Sequence, residues 1–199
     1  MKDILISTLR DKNTSLLEFR EAANRLTLLL AAEAVELMPK TKITLETPLA
    51  KTEGFKLASD PVLLPILRSG LALLPSFITY FPFATIGFIG TVRDEKTANP
   101  KLYYKNLPPL EQHPIIILEP MIATGGTVLL VIDLLKQQNA DLKKLFIVSF
   151  IGSKEGVNLL KDKFPETNLI IAQVDPSLND KKFIIPGLGD FGDRYFGTI

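Results

Sequence analysis

The sequence predicts an α/β fold, a doubly wound and mostly parallel sheet flanked by helices. Two observations carry that expectation. From residue 61 onward, short apolar runs alternate with stretches of helical spacing, as in consecutive strand–crossover–strand units. Several of those runs, such as Val62–Leu67 and Ile115–Leu118, are apolar nearly throughout, which suits strands covered on both faces. A length of 199 residues suits a substantial core, so residues 1–199 read as one domain.

The first clear element spans residues 15–38. Ser15 and Glu18 form a capping box, and Leu16, Phe19, Ala23, Leu26, Leu30 and Leu37 recur at helical spacing until Pro39 ends the run. The additional apolar residues Leu28, Leu29, Ala31 and Ala32 point to burial on two sides, at a subunit contact. Thr41 to Phe55 alternates weakly and is broken by Pro48 and Gly54, so a loop with a short strand is expected there.

Val62–Leu67 reads as a buried strand, Arg68-Ser69-Gly70 as a turn, and Leu71 to Tyr80 as the helix that follows. An arginine at the C-terminal tip of a parallel strand points into the crevice where such sheets bind ligands, and its planar fork suits a diphosphate. A surface arginine beside a turn gives the same pattern. Thr85–Gly90 is the next strand, and the charged run around Arg93, Asp94, Glu95 and Lys96 precedes another that begins at Tyr103-Tyr104-Lys105. The pair reads as a hairpin arm with a mobile tip. His113, the one histidine, reads as a loop residue, so histidine triads and multi-histidine metal sites drop out.

Pro114 to Gln138 organises the rest. A strand, Ile115–Leu118, leads to the carboxylate of Glu119, then to a small-residue turn, Ala123-Thr124-Gly125-Gly126-Thr127, and into an apolar helix. Glycines let a backbone approach an anion, the helix start supplies free N–H groups and a positive dipole end, and threonine hydroxyls add donors. A carboxylate at the strand end can accept from sugar hydroxyls. The segment therefore describes a site for a phosphorylated sugar, although an ordinary strand–turn–helix crossover shares its outline. The sequence has neither G-x-x-x-x-G-K-[ST] nor G-x-G-x-x-G with a downstream acid, which removes the triphosphate P-loop and the dinucleotide fingerprint.

Lys144–Ile151 is a further strand, Ser153 caps a helix that Pro165 stops, and Leu169–Val174 is the next strand. The tail from Phe183 to Gly197 is unusual for a terminus, because it is dense in glycine and aromatic residues after a short apolar run. Glycines at that density let main-chain groups face a ligand, or pack a tight closing loop.

Composition excludes several classes. Lys+Arg 23 against Asp+Glu 22 leaves a net charge of +1, which gives no general attraction to DNA, RNA or a membrane surface. Without cysteine there is no disulfide framework, thiol nucleophile or thiolate metal site. The first residues are too short and too soon polar for a signal peptide, and the apolar stretch Leu26–Ala32 stops at Glu33. A cytoplasmic globule is expected.

Three ordered stretches carry a family resemblance. Pro65-Ile66-Leu67-Arg68-Ser69-Gly70 resembles the diphosphate loop of the phosphoribosyltransferases, with serine where alanine is usual. Glu119 to Gly126 is similar to their 5-phosphoribosyl 1-diphosphate (PRPP) motif, in the single-acid form of the uracil branch. PGLGDFGDRYFGT, from Pro186 to Thr198, looks like the uracil-binding signature of uracil phosphoribosyltransferases. With Arg10 to Ser15 near the start, the resemblance covers essentially the whole chain.

The resemblance implies a phosphoribosyltransferase-like fold with a C-terminal base-binding hood. It implies transfer of phosphoribosyl from PRPP to N1 of uracil, with magnesium as cofactor. By position, Met121, Ile122, Ala123, Thr124, Gly125, Gly126 and Thr127 hold PRPP at its 5′-phosphate end, and Glu119 takes the ribose hydroxyls. Arg68 and Arg93 take the diphosphate, Arg93 from a lid. Ile184, Leu188, Gly189 and Phe191 face uracil, and Asp190 sits beside the sugar and a metal-bound water. Glu119, Arg93 and Asp190 are the expected catalytic set, and Asp190 the residue nearest the metal. A GTP effector and a homo-oligomer, dimer or tetramer, belong to the same implication.

Some positions depart from the family pattern. Glu119 replaces an aspartate, Phe183 a common tyrosine, and Thr91-Val92 an aliphatic–tyrosine pair before the lid. The alternative functional reading is a regulator of the same fold that binds nucleotides or RNA without useful turnover. An enzyme of this fold acting on a purine is a third, which the tail disfavours.

Overall fold

In a computed structural model the chain is described over residues 1–93 and 99–198, with Arg93 described by its backbone alone. It opens with helices α1 (Lys2–Arg10) and α2 (Leu16–Leu37). The capping box forms: the Ser15 hydroxyl accepts from the Glu18 N–H at 3.3 Å, and the Glu18 carboxylate accepts from the Ser15 N–H at 3.0 Å. Helix α1 is absent from the sequence reading. Its apolar residues Leu5, Ile6 and Leu9 are too few to establish a period, and they are buried in the cluster that also holds α2.

Residues 40–57 differ from the expected loop with a short strand. They form an antiparallel hairpin, β1 (Lys40–Glu46) and β2 (Lys51–Leu57), paired from Lys40↔Leu57 to Glu46↔Lys51. Pro48 falls in the turn, which Thr47 closes by donating its N–H to the Ala50 carbonyl at 2.9 Å. Both faces are mostly exposed, so the strands carry none of the strict alternation that marks a half-buried strand.

The remainder runs β3 (Val62–Leu67), α3 (Leu74–Tyr80), β4 (Thr85–Ile86), β5 (Phe88–Arg93), β6 (Pro100–Asn106), β7 (Ile115–Leu118) and β8 (Met121–Ile122). It continues with α4 (Gly126–Gln137), β9 (Leu145–Ser153), α5 (Lys154–Lys163), β10 (Asn168–Asp175), β11 (Ser177–Leu178), β12 (Ile184–Ile185) and α6 (Phe191–Phe196). The central sheet has the order β10-β9-β7-β3-β5-β6, with β4 beside β3 and β8 beside β9. Every pairing is parallel except β5 with β6. The doubly wound, mostly parallel sheet is therefore as the sequence predicts, and β5–β6 is the hairpin arm. The arm's tip, residues 94–98, lies outside the described residues, and so does the expected lid. The helix expected over Leu71–Tyr80 comes in two pieces, a 3-10 turn at Ser69–Ala72 and then α3, with Pro75 in the first helical turn where no N–H is needed.

Side chains alternate across the sheet and divide the core into two layers. Ile116 and Leu118 of β7 join Phe146, Val148 and Phe150 of β9 against α1, α2 and the α3 residue Phe77. Ile115, Ile117, Leu145 and Ile147 join Leu64 and Ile66 against Val131, Ile132 and Leu135 of α4. Each fully buried large apolar side chain contributes roughly 1.5–3 kcal/mol, which fixes the strand register.

The winding reverses between β3 and β7. The first leads through α3 to β4 and β5 on one side, the second through α4 to β9 on the other. The loops after these neighbouring strands therefore open together at their carboxyl ends, where open α/β sheets hold ligands. Gly70 permits the approach, because a Cβ there would lie 2.3 Å from the Leu118 carbonyl oxygen.

Candidate active site

The turn between β8 and α4 is built from backbone. Gly125, the N-cap of α4, has φ +78°, a left-handed conformation that favours glycine. N–H groups in the first turn of α4 have no acceptor within the helix and lie at its positive end. The Thr124 hydroxyl accepts the Gly126 N–H at 3.3 Å. Support comes from the β9–α5 junction: the Ser153 hydroxyl donates to the Ala123 carbonyl at 2.5 Å and accepts from the Gly156 N–H at 2.9 Å. A Cβ on Gly156 would lie 2.3 Å from that same carbonyl oxygen. Sequence reasoning finds Ser153 as a helix cap and passes over Gly156, since neither carries a phosphate-site pattern.

A cavity of about 180 Å³ opens over this turn. Met121, Ile122, Ala123, Thr124, Gly125, Gly126, Thr127 and Val128 line it, together with Lys182, Phe183, Ile184, Gly189 and Asp190 from the C-terminal segment. Two motifs far apart in sequence thus share one cavity. Val128 and Lys182 are lining residues that the sequence reading does not single out, and no motif marks them.

The C-terminal segment is held in place by two arginines. Arg10, at the end of α1, donates to both oxygens of Asp175 at 2.5 and 2.9 Å and to the Gly187 carbonyl at 2.9 Å. Asp175 also accepts the Gly187 N–H at 2.9 Å. Arg194 donates to the carbonyls of Leu188 at 2.7 Å and Asp11 at 2.6 Å, and to that of Leu9, while its guanidinium lies 4.3 Å over the Phe19 ring. Gly187 and Gly189 have φ +62° and +81°. The tail is more structured than a loop, because Asp190 caps α6 by accepting the Asp193 N–H at 3.0 Å. Leu188 and Phe191 turn their side chains into the core, where the Phe191 ring lies 5.2 Å from Phe150 and 5.5 Å from Phe19. Neither residue lines the cavity, and with both side chains in the core only their main-chain groups are left to a ligand.

Glu119 and Arg68 are not among the lining residues. Glu119, 8% exposed, follows β7 directly, and burial raises its carboxyl to about 8. Hydrogen bonds from the Met121 N–H and the Ser69 hydroxyl pull in the opposite direction without cancelling that rise. Arg68 follows a cis peptide, and its side chain, 63% exposed, places Nη2 3.4 Å from Asp193 Oδ1. An exposed pair of that kind is worth about 0–1 kcal/mol, so the guanidinium exchanges partners easily. Arg93 ends β5, and its side chain is not described.

No group of three or more His, Cys, Asp or Glu side chains able to hold a metal occurs among the described residues. The exposed Asp190 carboxylate is an oxygen donor of the type magnesium accepts, and magnesium commonly rests on one or two carboxylates plus substrate phosphates and water. The donor set fits such an ion.

The sequence profile of the family described as uracil phosphoribosyltransferase matches residues 2–198. The chain is 40% identical over 194 residues to a uracil phosphoribosyltransferase of Mycoplasma genitalium, covering 97% of this chain and 93% of that protein. It is 37% identical to one of Symbiobacterium thermophilum, covering 97% and 92%. Among solved structures, the AQ2163 protein of Aquifex aeolicus superposes with a TM-score of 0.89 at 33% identity, covering 98% of this chain and 93% of that one. The shared cavity of glycine turn and C-terminal segment and the full-length match agree, and the chain belongs to the uracil phosphoribosyltransferase family.

Proposed function

We propose that this protein transfers the 5-phosphoribosyl group of PRPP to N1 of uracil, giving UMP, diphosphate and a proton. The observation that carries the reading is the single cavity lined both by Thr124–Thr127 and by Ile184, Gly189 and Asp190. It is the arrangement needed to hold a phosphate at one end of a nucleotide and its base at the other.

The C1–diphosphate bond breaks and the C1–N1 bond forms, with positive charge developing on the ribose and negative charge on the leaving diphosphate. Catalysis is then positioning plus electrostatics, with no nucleophilic side chain required. The Ala123–Thr127 turn receives the 5′-phosphate, with Met121 and Ile122 beside it, and Glu119 receives the ribose hydroxyls. Arg68 and Arg93 take the diphosphate. Main-chain groups of Ile184, Leu188, Gly189 and Phe191 read uracil. Asp190 stands beside the sugar and is the residue that would meet magnesium, which supplies positive charge to the diphosphate when bound.

Exposed apolar side chains on the β1–β2 hairpin, Leu49 and Phe55, and on α2, Leu28 and Leu37, support a homo-oligomer, dimer or tetramer. The absence of cysteine fits a cytoplasmic, reducing setting. We place GTP as an effector by family resemblance alone.

Incubating the protein with PRPP, magnesium and a panel of bases, with and without GTP, tests the reading. UMP formed from uracil, with purines left unused, is expected. Turnover of a purine in place of uracil, or of no base at all, would overturn it.

A further inference from the structure

We propose that Lys182 is an anion-binding residue of the cavity, setting an ammonium across from the glycine turn so that a ligand phosphate is held from both directions. The inference rests on reading that turn as a phosphate cradle. Among the described lining residues Lys182 is the one Lys or Arg, and it shares the cavity with Thr124, Gly125, Gly126 and Thr127. The cavity, at about 180 Å³, is small enough for a flexible four-carbon side chain to reach across it.

The backbone at Lys182 is unusual. Its φ of +63° is left-handed, a region sparsely occupied by residues other than glycine, asparagine and aspartate. Asn179 fixes it there. The Lys182 N–H donates to the Asn179 carbonyl at 2.8 Å, the Phe183 N–H donates to Asn179 Oδ1 at 2.9 Å, and the Asn179 N–H donates to the Phe183 carbonyl at 2.9 Å. This turn, between β11 and β12, carries a long cationic side chain at a position whose conformation favours a glycine. A charge placed at the cavity accounts for the lysine. Asp190, the one carboxylate among the described lining residues, has Oδ1 engaged by the Asp193 N–H.

The test is calorimetric binding of ribose 5-phosphate at low and high salt to the full chain and to Lys182→Met, Lys182→Arg and Lys182→Gly. Methionine keeps the stem without the charge, arginine keeps the charge, and glycine accepts the left-handed backbone. Lys182→Met and Lys182→Gly should weaken binding about 3- to 10-fold at low ionic strength, less at high salt, while Lys182→Arg stays near the parent. Parent-like binding by Lys182→Met, or by Lys182→Gly, would overturn the charge role. A parent that fails to bind ribose 5-phosphate would overturn it together with the cradle. A parent that binds ribose 5-phosphate but makes no UMP would sink only the functional reading.

Discussion

Arg10 and Asp175, 165 residues apart, meet in a two-pronged ion pair at 2.5 and 2.9 Å, and both also bind the backbone of Gly187. The pair joins the end of the first helix to the tip of the last long parallel strand. Through Gly187 it fixes the backbone that leads to Gly189 and Asp190 on the cavity. Asp175 is 2% exposed, so its carboxylate is buried against that partner and the Gly187 backbone.

Substituting Asp175→Asn should therefore strand the guanidinium and loosen the Gly187 backbone. Breaking a buried pair costs roughly 3–5 kcal/mol, and the partial exposure of Arg10 places this one toward about 2–4 kcal/mol. A urea titration should show that loss, and the KM for uracil should rise more than that for PRPP. A KM for uracil equal to the parent's would mean that the ion pair does not position the base end of the cavity.

Glu119→Gln keeps size and removes the carboxylate charge that the parent carries above about pH 8. Hydrogen bonds to charged groups are worth roughly 1.5–3 kcal/mol, so at pH 9 kcat/KM for PRPP should fall about 10- to 150-fold. Glu119→Asp should preserve or raise activity. The pH dependence has a definite sign. With the folded carboxyl raised from 4.5 to about 8, the native state keeps a proton that the unfolded chain has lost, so the parent loses stability as pH rises through that window. Glu119→Gln has no such proton, and its stability relative to the parent should grow from pH 5 to pH 9. Parallel stability curves for the two proteins would show that the carboxyl is not perturbed by burial.

Gly156→Ala tests the support beneath the glycine turn. Its Cβ would press to 2.3 Å on the Ala123 carbonyl, which is backbone and cannot swing aside. Overpacking of this type costs about 1–3 kcal/mol. The KM for PRPP should rise along with the destabilisation, whereas an unchanged KM would separate α5 from the site.

Arg68→Ala should impair PRPP use far more than uracil binding, because its ion pair with Asp193 is long and exposed and contributes little to the fold. Its melting temperature should stay near the parent's. A lowered melting temperature with normal PRPP kinetics would assign Arg68 to structure instead.

The sheet was legible in the sequence because strands buried on both faces are apolar nearly throughout, as Ile115–Leu118 and, but for Ser149, Leu145–Ile151 are. The glycine turn was legible because φ at Gly125 and the helix start behind it leave a residue signature. The β1–β2 hairpin was not, since backbone pairing without a buried face imposes no pattern on side chains. Arg10, Asp175 and Arg194 escaped as supports because their partners are distant carbonyls and carboxylates that no local spacing reveals. Phe191 reads as part of a base-facing motif, and the structure adds that its ring fills the core, so truncating it would test stability before base choice.

The ratio of kcat/KM for uracil to that for cytosine tests most directly whether main-chain groups of the C-terminal segment read uracil. If they do, they offer a donor–acceptor–donor row to O4, N3–H and O2 of uracil, and cytosine reverses the first two of these. Each buried mismatch leaves groups unpaired at roughly 1–3 kcal/mol, so the ratio should be about 30 to 10⁴. It should persist in Phe183→Ala, where an exposed side chain on the cavity is lost and the backbone is kept. Equal use of the two bases by the parent would contradict the account.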